Sequence, residues 1–501
     1  MPAISTAQSG ITDRRKWVAL VVVCLAMLMN ALDGSIVNVA LPSIQHDLHF
    51  SQASLTWVVD AYLIAFGSFL LLAGRLGDLL GRKKVFLSGV ALFTLSSLAC
   101  ALAPSQGWLI TARFVQGIGG AVSTSVIVAI IVTEFSGAAE RAKAMSAYMF
   151  VAVGGGSLGL LVGGILTQSV SWHWIFMINV PIGLATLVLG WFLIRENEGL
   201  GVRHGLDVTG SALLTLSLVI GIFAIVKASS YGWISLHTIG VLAIAAALLS
   251  AFFVVEGRVA RPIVPLRIFK LKSLTASSVV RGLSFSAMYA VFFFGALYME
   301  RVLGFGPLKT GLAFLPMTLA MAAMSLGATS KLLMRFGAMK LLVPGMTAVI
   351  MGLLLLTKTG VHSNYATAVF PAFLLLGFGM SVSAVPLLTI AMADVPREDA
   401  GLASGIVNVS MWLASSTALA IFGTLAASKT TSVLAQGRSV ADASVAGYHV
   451  TFFVGAVLAA AALALIVTVL RSPANRETLA NEVSVRLIQE TSGELDVLED
   501  R

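Results

Sequence analysis

The sequence is poor in charge. Asp, Glu, Lys and Arg together make up 11% of its 501 residues, whereas hydrophobic residues make up 58%. A soluble domain usually carries about 25% charged residues, and a fold of this size could not cover its surface with so few. The shortage excludes an ordinary water-soluble protein and indicates that lipid surrounds most of the chain.

Patterns that bind metals or nucleotides are missing. The 2 cysteines, Cys24 and Cys100, both fall inside apolar runs, so they imply no disulfide framework. The sequence has no Gly-Lys pair, which excludes a phosphate-binding loop of the ATPase type, and it has no zinc-binding pattern. We therefore expect no metal, no cofactor and no enzymatic activity, and any work must be driven by a gradient.

Long apolar runs recur along the whole chain, each near the ~20 residues that a membrane-spanning helix needs. The first run is too long for a signal-peptide core and lacks a small-residue cleavage site, so we expect an uncleaved first span. We predict fourteen spans near 17–40, 54–73, 85–103, 108–132, 144–166, 174–194, 207–226, 236–255, 275–299, 311–330, 341–357, 364–390, 401–427 and 450–470.

The basic residues orient these spans. With a cytoplasmic N-terminus, the inside segments hold 24 Lys and Arg, the outside loops hold 6, and Arg113 and Arg281 lie within spans, which accounts for all 32. Cytoplasmic loops are enriched in this way. The net charge of +9 is thus explained without nucleic acid, because no basic cluster lies apart from the spans. We predict that both termini are cytoplasmic.

The strongest motif lies between the second and third predicted spans. Its glycines allow helix ends to turn tightly, and its acid lies among four basic residues, where it can pair with them or with a helix N-terminus. The alternative is a plain basic loop. The motif resembles the signature of the major facilitator superfamily, in which this loop is a cytoplasmic gate; it contains Gly74, Arg75, Gly77, Asp78, Gly81, Arg82 and Lys83. A degenerate repeat runs over 331–340.

Further segments are similar to the fourteen-span drug:proton antiporters of that superfamily. They are Leu32 to Pro42, Trp172 to Phe176, and Gly311 to Pro316. The resemblance implies an all-α integral membrane protein of the major facilitator fold: a six-helix bundle at 17–194, a two-helix insert at 207–255, a second bundle at 275–470 and a polar cytoplasmic tail at 472–501.

Three charged residues within the predicted spans are candidates for proton coupling or substrate binding. A charge at membrane depth is costly, so each needs a partner, a cavity or neutralisation. The resemblance implies that Arg113 serves proton coupling and that Asp33 belongs to the family motif; we expect Asp33 to carry the proton, or to bind a cationic substrate. For Arg113 the alternative is snorkelling to the outer interface. Asp60, roughly 9 Å into its span, is either functional or exposed at the interface.

The fifth predicted span carries a strip of glycines, Gly155, Gly159, Gly163 and the adjacent Gly164. Small residues every four positions permit close helix packing. The resemblance implies an antiporter motif here. Leu160 occupies the position where that motif usually has proline, so we do not expect the helix bend that the proline promotes.

A binding cavity is expected to be lined by side chains from the fourth and ninth spans, although an aromatic stripe on a helix more often packs. The candidates are Gln116, Phe285, Met288, Tyr289 and Phe292. Together with the resemblance, they favour proton-coupled export of small lipophilic or cationic compounds by a monomer in a bacterial inner membrane. The alternatives are a dedicated transporter of one metabolite or self-made antibiotic, and, from another class, an intramembrane enzyme or channel.

Overall fold

The computed structural model describes residues 3–135, 138–196, 199, 207–232, 234–259, 266–324, 328–395 and 400–470, apart from some side chains within these ranges. The predicted tail at 472–501 lies outside the described residues. So does the side chain of Asp78.

Within the described part, fourteen helices have 15 residues or more, one for each predicted span. They are α1 (Ala3–Ile36), α2 (Trp57–Leu80), α3 (Arg82–Ala101), α4 (Gln106–Glu134), α5 (Ala138–Ser169), α6 (Asn179–Leu193), α7 (Val208–Tyr231), α8 (Leu236–Glu256), α9 (Lys272–Arg301), α10 (Pro307–Ala323), α11 (Ala338–Leu356), α12 (Phe370–Met392), α13 (Ala400–Leu434) and α14 (Val440–Leu465).

Several of these helices begin where the sequence supplies a capping side chain. Ser105 accepts a hydrogen bond from the Trp108 amide, Asp207 from the Gly210 amide and Ser235 from the Thr238 amide. Such caps satisfy amides that the first helical turn leaves unpaired. By length and composition, 11 helices of the described part could cross a membrane. This confirms a multi-pass helical protein, while the count of fourteen stays a prediction.

The helices pack as two groups. In the first group α1 lies against α4, α5 and α6, and α3 and α4 pack together; in the second group α9 lies against α12, α13 and α14, and α11 packs on α12 and α14. Two helix pairs join the groups, α5 with α10 and α2 with α13. In each pair, the fifth helix of one group contacts the second helix of the other: α5 contacts α10, and α13 contacts α2. Two structurally related halves are expected to show this symmetry. The domain limits at 194, 207, 255 and 275 remain a prediction.

A glycine turn at the same place in each group supports the assignment of two related halves. Gly81, at φ 98°, separates α2 from α3, and Gly337, at φ 79°, separates the short helix Thr329–Phe336 from α11. A positive φ favours glycine, so each residue ends one helix and begins the next without strain. The weak sequence repeat at 331–340 thus has the same backbone turn as the strong motif.

The seam between α5 and α10 is tightly packed towards the end that the basic loops assign to the outside. On one seam, a Cβ on Gly311 would meet the Leu160 carbonyl, and Gln168 accepts a hydrogen bond from the Leu308 amide at 3.1 Å. Towards the other end of α5, a Cβ on Gly154 or Gly156 would meet nothing within 4 Å. The close approaches of α5 to α10 described here therefore lie towards the end assigned to the outside.

The helix pair α7 and α8 lies beside the other seam. An apolar cluster joins Ile222 of α7 to Ile64 of α2 and Ala420 of α13. Thr215 also donates a hydrogen bond to the Ser68 carbonyl at 3.4 Å, and the rings of Phe223 and Trp57 lie 6.0 Å apart. The insert thus covers the seam between α2 and α13 on one side of the molecule.

Candidate functional site

A buried charge pair lies at the centre of the first helix group. The Arg113 guanidinium, on α4, donates to the Asp33 carboxylate, on α1, at 2.5 Å, and their side chains are 1% and 0% exposed. A buried charge without a partner is costly, so each residue makes the other tolerable. The structure thus brings together two of the three charged residues that the sequence singled out in this half, and Arg113 does not snorkel.

Neutral side chains complete the pair. Gln116 donates to Asp33 Oδ1 at 2.8 Å and accepts from Arg113 at 2.8 Å, and Asn179 donates to the same carboxylate oxygen at 3.3 Å. Ser97 accepts hydrogen bonds from Gln116 and Asn179 at 3.2 and 3.1 Å. Four helices therefore contribute to one buried network, in which Asp33 accepts hydrogen bonds from three side chains.

Aromatic rings and the backbone enclose the guanidinium. Its Nε donates to the Val58 carbonyl at 2.9 Å, and its central carbon lies 4.4 Å from the centre of the Tyr62 ring and 5.6 Å from that of Phe176. These distances are within the range of cation–π attraction. These contacts, together with the network, fix the orientation of the Arg113 guanidinium towards Asp33.

Asp60 has a different environment. It lies near the start of α2 with no exposed surface, which removes the expectation of interfacial exposure. Its Oδ1 accepts a hydrogen bond from Ser416 of α13 at 3.3 Å, while Oδ2 has no hydrogen-bond partner in the described part of the chain. Asp60 thus links the two halves through Ser416, with one buried carboxylate oxygen that has no hydrogen bond in the described part.

The gate motif lies where α2 ends and α3 begins. Arg82 donates to the Ala129 carbonyl of α4 at 3.2 Å, and Lys83 donates to the Trp191 carbonyl of α6 at 2.7 Å. A Cβ on Gly77 would collide with the Val126 side chain, so α2 and α4 approach closely there. Arg82 and Lys83 tie the motif to the first half, and the predicted role of Asp78 stays a prediction.

The glycine strip of α5 is a packing surface on α1. Added Cβ atoms on Gly155, Gly159 and Gly163 would meet Ala31, Ser35 and Ile36 respectively, whereas Gly164 faces the start of α10. Leu160 is buried, and α5 is helical throughout Ala138–Ser169.

The residues expected to line a cavity separate into two sets. Gln116 belongs to the buried network, because its amide bonds the charge pair, and Met288 is buried in the apolar core. Neither of them lines a cavity. Phe285, Tyr289 and Phe292 are partly exposed on one face of α9.

Two members of the network were not selected from the sequence. Ser97 is one of many serines within spans and gives no distinguishing signal. Asn179 did carry a signal, since an asparagine at membrane depth also needs a partner, and it follows the Trp-His-Trp segment that resembles the antiporter branch.

Comparison with known proteins identifies the family. The profile described as Major Facilitator Superfamily matches residues 23–420. The chain belongs to the major facilitator superfamily. Puromycin resistance protein pur8 of Streptomyces alboniger is 36% identical over 486 residues, covering 95% of this chain and 96% of that protein. Cephamycin export protein CmcT of Amycolatopsis lactamdurans is 33% identical over 456 residues, covering 90% and 92%.

The fold is also that of a solved transporter. A bacterial homologue of the human lysosomal transporter Spinster, crystallised in an inward-facing and unoccupied conformation, superposes with a TM-score of 0.64 at 15% identity, covering 93% of this chain and 98% of that one. The protein is therefore a non-enzymatic transporter of small molecules, related to antibiotic and multidrug exporters.

Proposed function

We propose that this transporter exports small lipophilic or cationic compounds in exchange for protons, by alternating access. The observation that carries the proposal is the dry network around Asp33 and Arg113 within a bundle of a transporter family that the chain belongs to. The relatives named for puromycin resistance and cephamycin export support the direction and the type of cargo.

Protons supply enough energy for this work. One proton moving inward down a potential of 100 mV releases about 2.3 kcal/mol, which sustains a solute gradient of about 40-fold. In this structure Asp33 accepts hydrogen bonds from Arg113, Gln116 and Asn179. When the halves rearrange, a weaker contact with Arg113 favours the protonated form, so that protonation depends on which side is open.

Asp60 is the second proton carrier of the proposal. It bridges the halves through Ser416 with one oxygen lacking a hydrogen bond, so that separating α2 from α13 exposes it to water and allows it to ionise. Protonation of Asp60 would then depend on whether the seam between α2 and α13 is closed. Protonation of Asp33 would depend on the network inside the first half.

The test compares three variants in inverted membrane vesicles, with ethidium as the cationic cargo and a pH-sensitive dye. We expect Asp33→Asn to abolish proton-driven ethidium accumulation while downhill ethidium exchange survives. Glu196→Gln, which changes an exposed carboxylate, is the matched control and retains coupling. If the Asp33→Asn variant keeps full coupling, Asp60 and not Asp33 carries the proton. Full coupling in the double variant Asp33→Asn/Asp60→Asn would contradict the proposal.

A second candidate is a dedicated exporter of one self-made compound. It is favoured by relatives whose names refer to single antibiotics, puromycin and cephamycin. A panel of compounds added to the same vesicles separates the two functions: proton movement with one chemical class only supports the dedicated exporter. In either case we place both termini in the cytoplasm of a bacterial plasma membrane and take the monomer as the working unit.

A further inference from the structure

Helix α9 presents a partly exposed stripe. Arg281, Phe285, Tyr289 and Phe292 recur at helical spacing and are partly exposed, whereas most of the residues between them are buried. α9 is the most enclosed candidate span: 83% of its apolar window is buried, against 61% or less in the other ten. A helix so enclosed has little contact with lipid, so the exposed stripe faces the space between the two halves.

Arg281 is the charged residue of this stripe. Its Nε is buried with no hydrogen-bond partner among the described residues, and no carboxylate of the described part lies within ion-pair distance. The central carbon of the guanidinium lies 5.2 Å from the centre of the Phe285 ring. Since α9 begins at Lys272, Arg281 is about 14 Å along the helix. An unmatched cation thus lies at membrane depth, beside the aromatic ring of Phe285.

The contrast with Arg113 is informative. Both arginines lie within predicted spans, but Arg113 has a carboxylate, an amide and a carbonyl as fixed partners. A buried charge is normally matched within the protein, because leaving it unmatched costs several kcal/mol. For Arg281 the matching group is missing from the described chain, and it can be supplied by a compound that enters the space between the halves.

We propose that Arg281 binds an acidic group, a carboxylate, on the transported compound, and that Phe285, Tyr289 and Phe292 contact the compound's apolar body. A guanidinium forms two parallel hydrogen bonds with a carboxylate, and flat aromatic side chains suit a rigid apolar body. This inference deepens the proposed export function and rests on it: the cargo includes amphiphilic acids as well as lipophilic cations.

The test uses two probes with one skeleton, 4-(1-pyrenyl)butyrate and its neutral amide, and the purified full-length protein in a non-ionic detergent. Binding is measured at equilibrium by pyrene fluorescence. We expect the wild-type protein to bind the carboxylate at least tenfold more tightly than the amide. Arg281→Gln should weaken binding of the carboxylate about tenfold and leave the amide within twofold, and Arg281→Lys should keep part of the preference.

Two controls separate recognition from packing. Arg335→Gln removes an exposed positive charge elsewhere and should leave both affinities unchanged. Phe285→Leu keeps the charge and should weaken both probes by the same factor. Equal affinity of the two probes for the wild-type protein would overturn the inference. So would an Arg281→Gln variant that weakens both probes equally. If that variant does not fold, an Arg281→Lys variant that weakens both probes by the same factor would overturn the inference instead.

This binding measurement needs no proton gradient, so its outcome does not depend on whether the proposed proton coupling is correct. A protein that prefers the carboxylate through Arg281 but moves no protons in vesicles would overturn proton coupling and leave the inference standing. Proton-coupled ethidium export by a protein without the preference would overturn the inference alone.

Discussion

Asp33 and Arg113 are buried together, with side chains 0% and 1% exposed, so each residue leaves an uncompensated charge when the other is removed. Breaking a buried ion pair typically costs about 3–5 kcal/mol. We expect Arg113→Gln to lower the unfolding temperature of the purified protein clearly. The double variant Asp33→Asn/Arg113→Gln should recover much of the loss, because two amides can bond each other. An Arg113→Gln protein that unfolds like the wild type would show that the pair contributes nothing to stability.

The charged members of this network could be predicted from the sequence, because a charge within an apolar run always requires an explanation. Gln116 also had a usable signal, since it follows Arg113 by three residues on the same helix face. Ser97 had none, and the contact between Asp60 and Ser416 joins residues that are 356 positions apart. A single sequence contains no information about which distant helices meet, so this contact could not be predicted.

At the scale of the helix, the contact between α5 and α10 depends on glycine. A Cβ on Gly311 would meet the Leu160 carbonyl, whereas a Cβ on Gly156 would meet nothing within 4 Å. We expect Gly311→Ala to separate the two helices at the outer end and Gly156→Ala to have no effect. A cysteine at position 292, in a protein lacking Cys24 and Cys100, should then react faster with an external thiol reagent in the first variant only. Equal labelling rates in both variants would contradict a glycine-dependent closure.

The positions of the helices were predictable, because long apolar runs separated by polar segments mark them directly. Their packing was predictable only through the family resemblance. Leu160 illustrates the difference: the sequence shows that proline is absent, but only the structure shows that α5 stays helical there and that the Leu160 carbonyl faces Gly311.

For the whole molecule, the distribution of basic residues predicts the orientation in the membrane. We expect a cysteine placed at position 437, between α13 and α14, to react with a membrane-impermeant reagent added to intact cells. A cysteine at position 83, in the gate motif, should react only after the cells are opened. Labelling at 83 in sealed cells would reverse the predicted topology.

The insert covers one of the two seams between the halves and leaves the other uncovered by the insert. α7 packs on both α2 and α13, joined by Ile222, Ile64 and Ala420, and thereby separates that seam from the surrounding lipid. A lipophilic compound that has dissolved in the bilayer can diffuse sideways as well as arrive from the water. For the proposed export of lipophilic compounds, we therefore expect lateral entry past α5 and α10, because α7 obstructs the seam between α2 and α13. We also expect lipids in contact with that face to compete with the cargo.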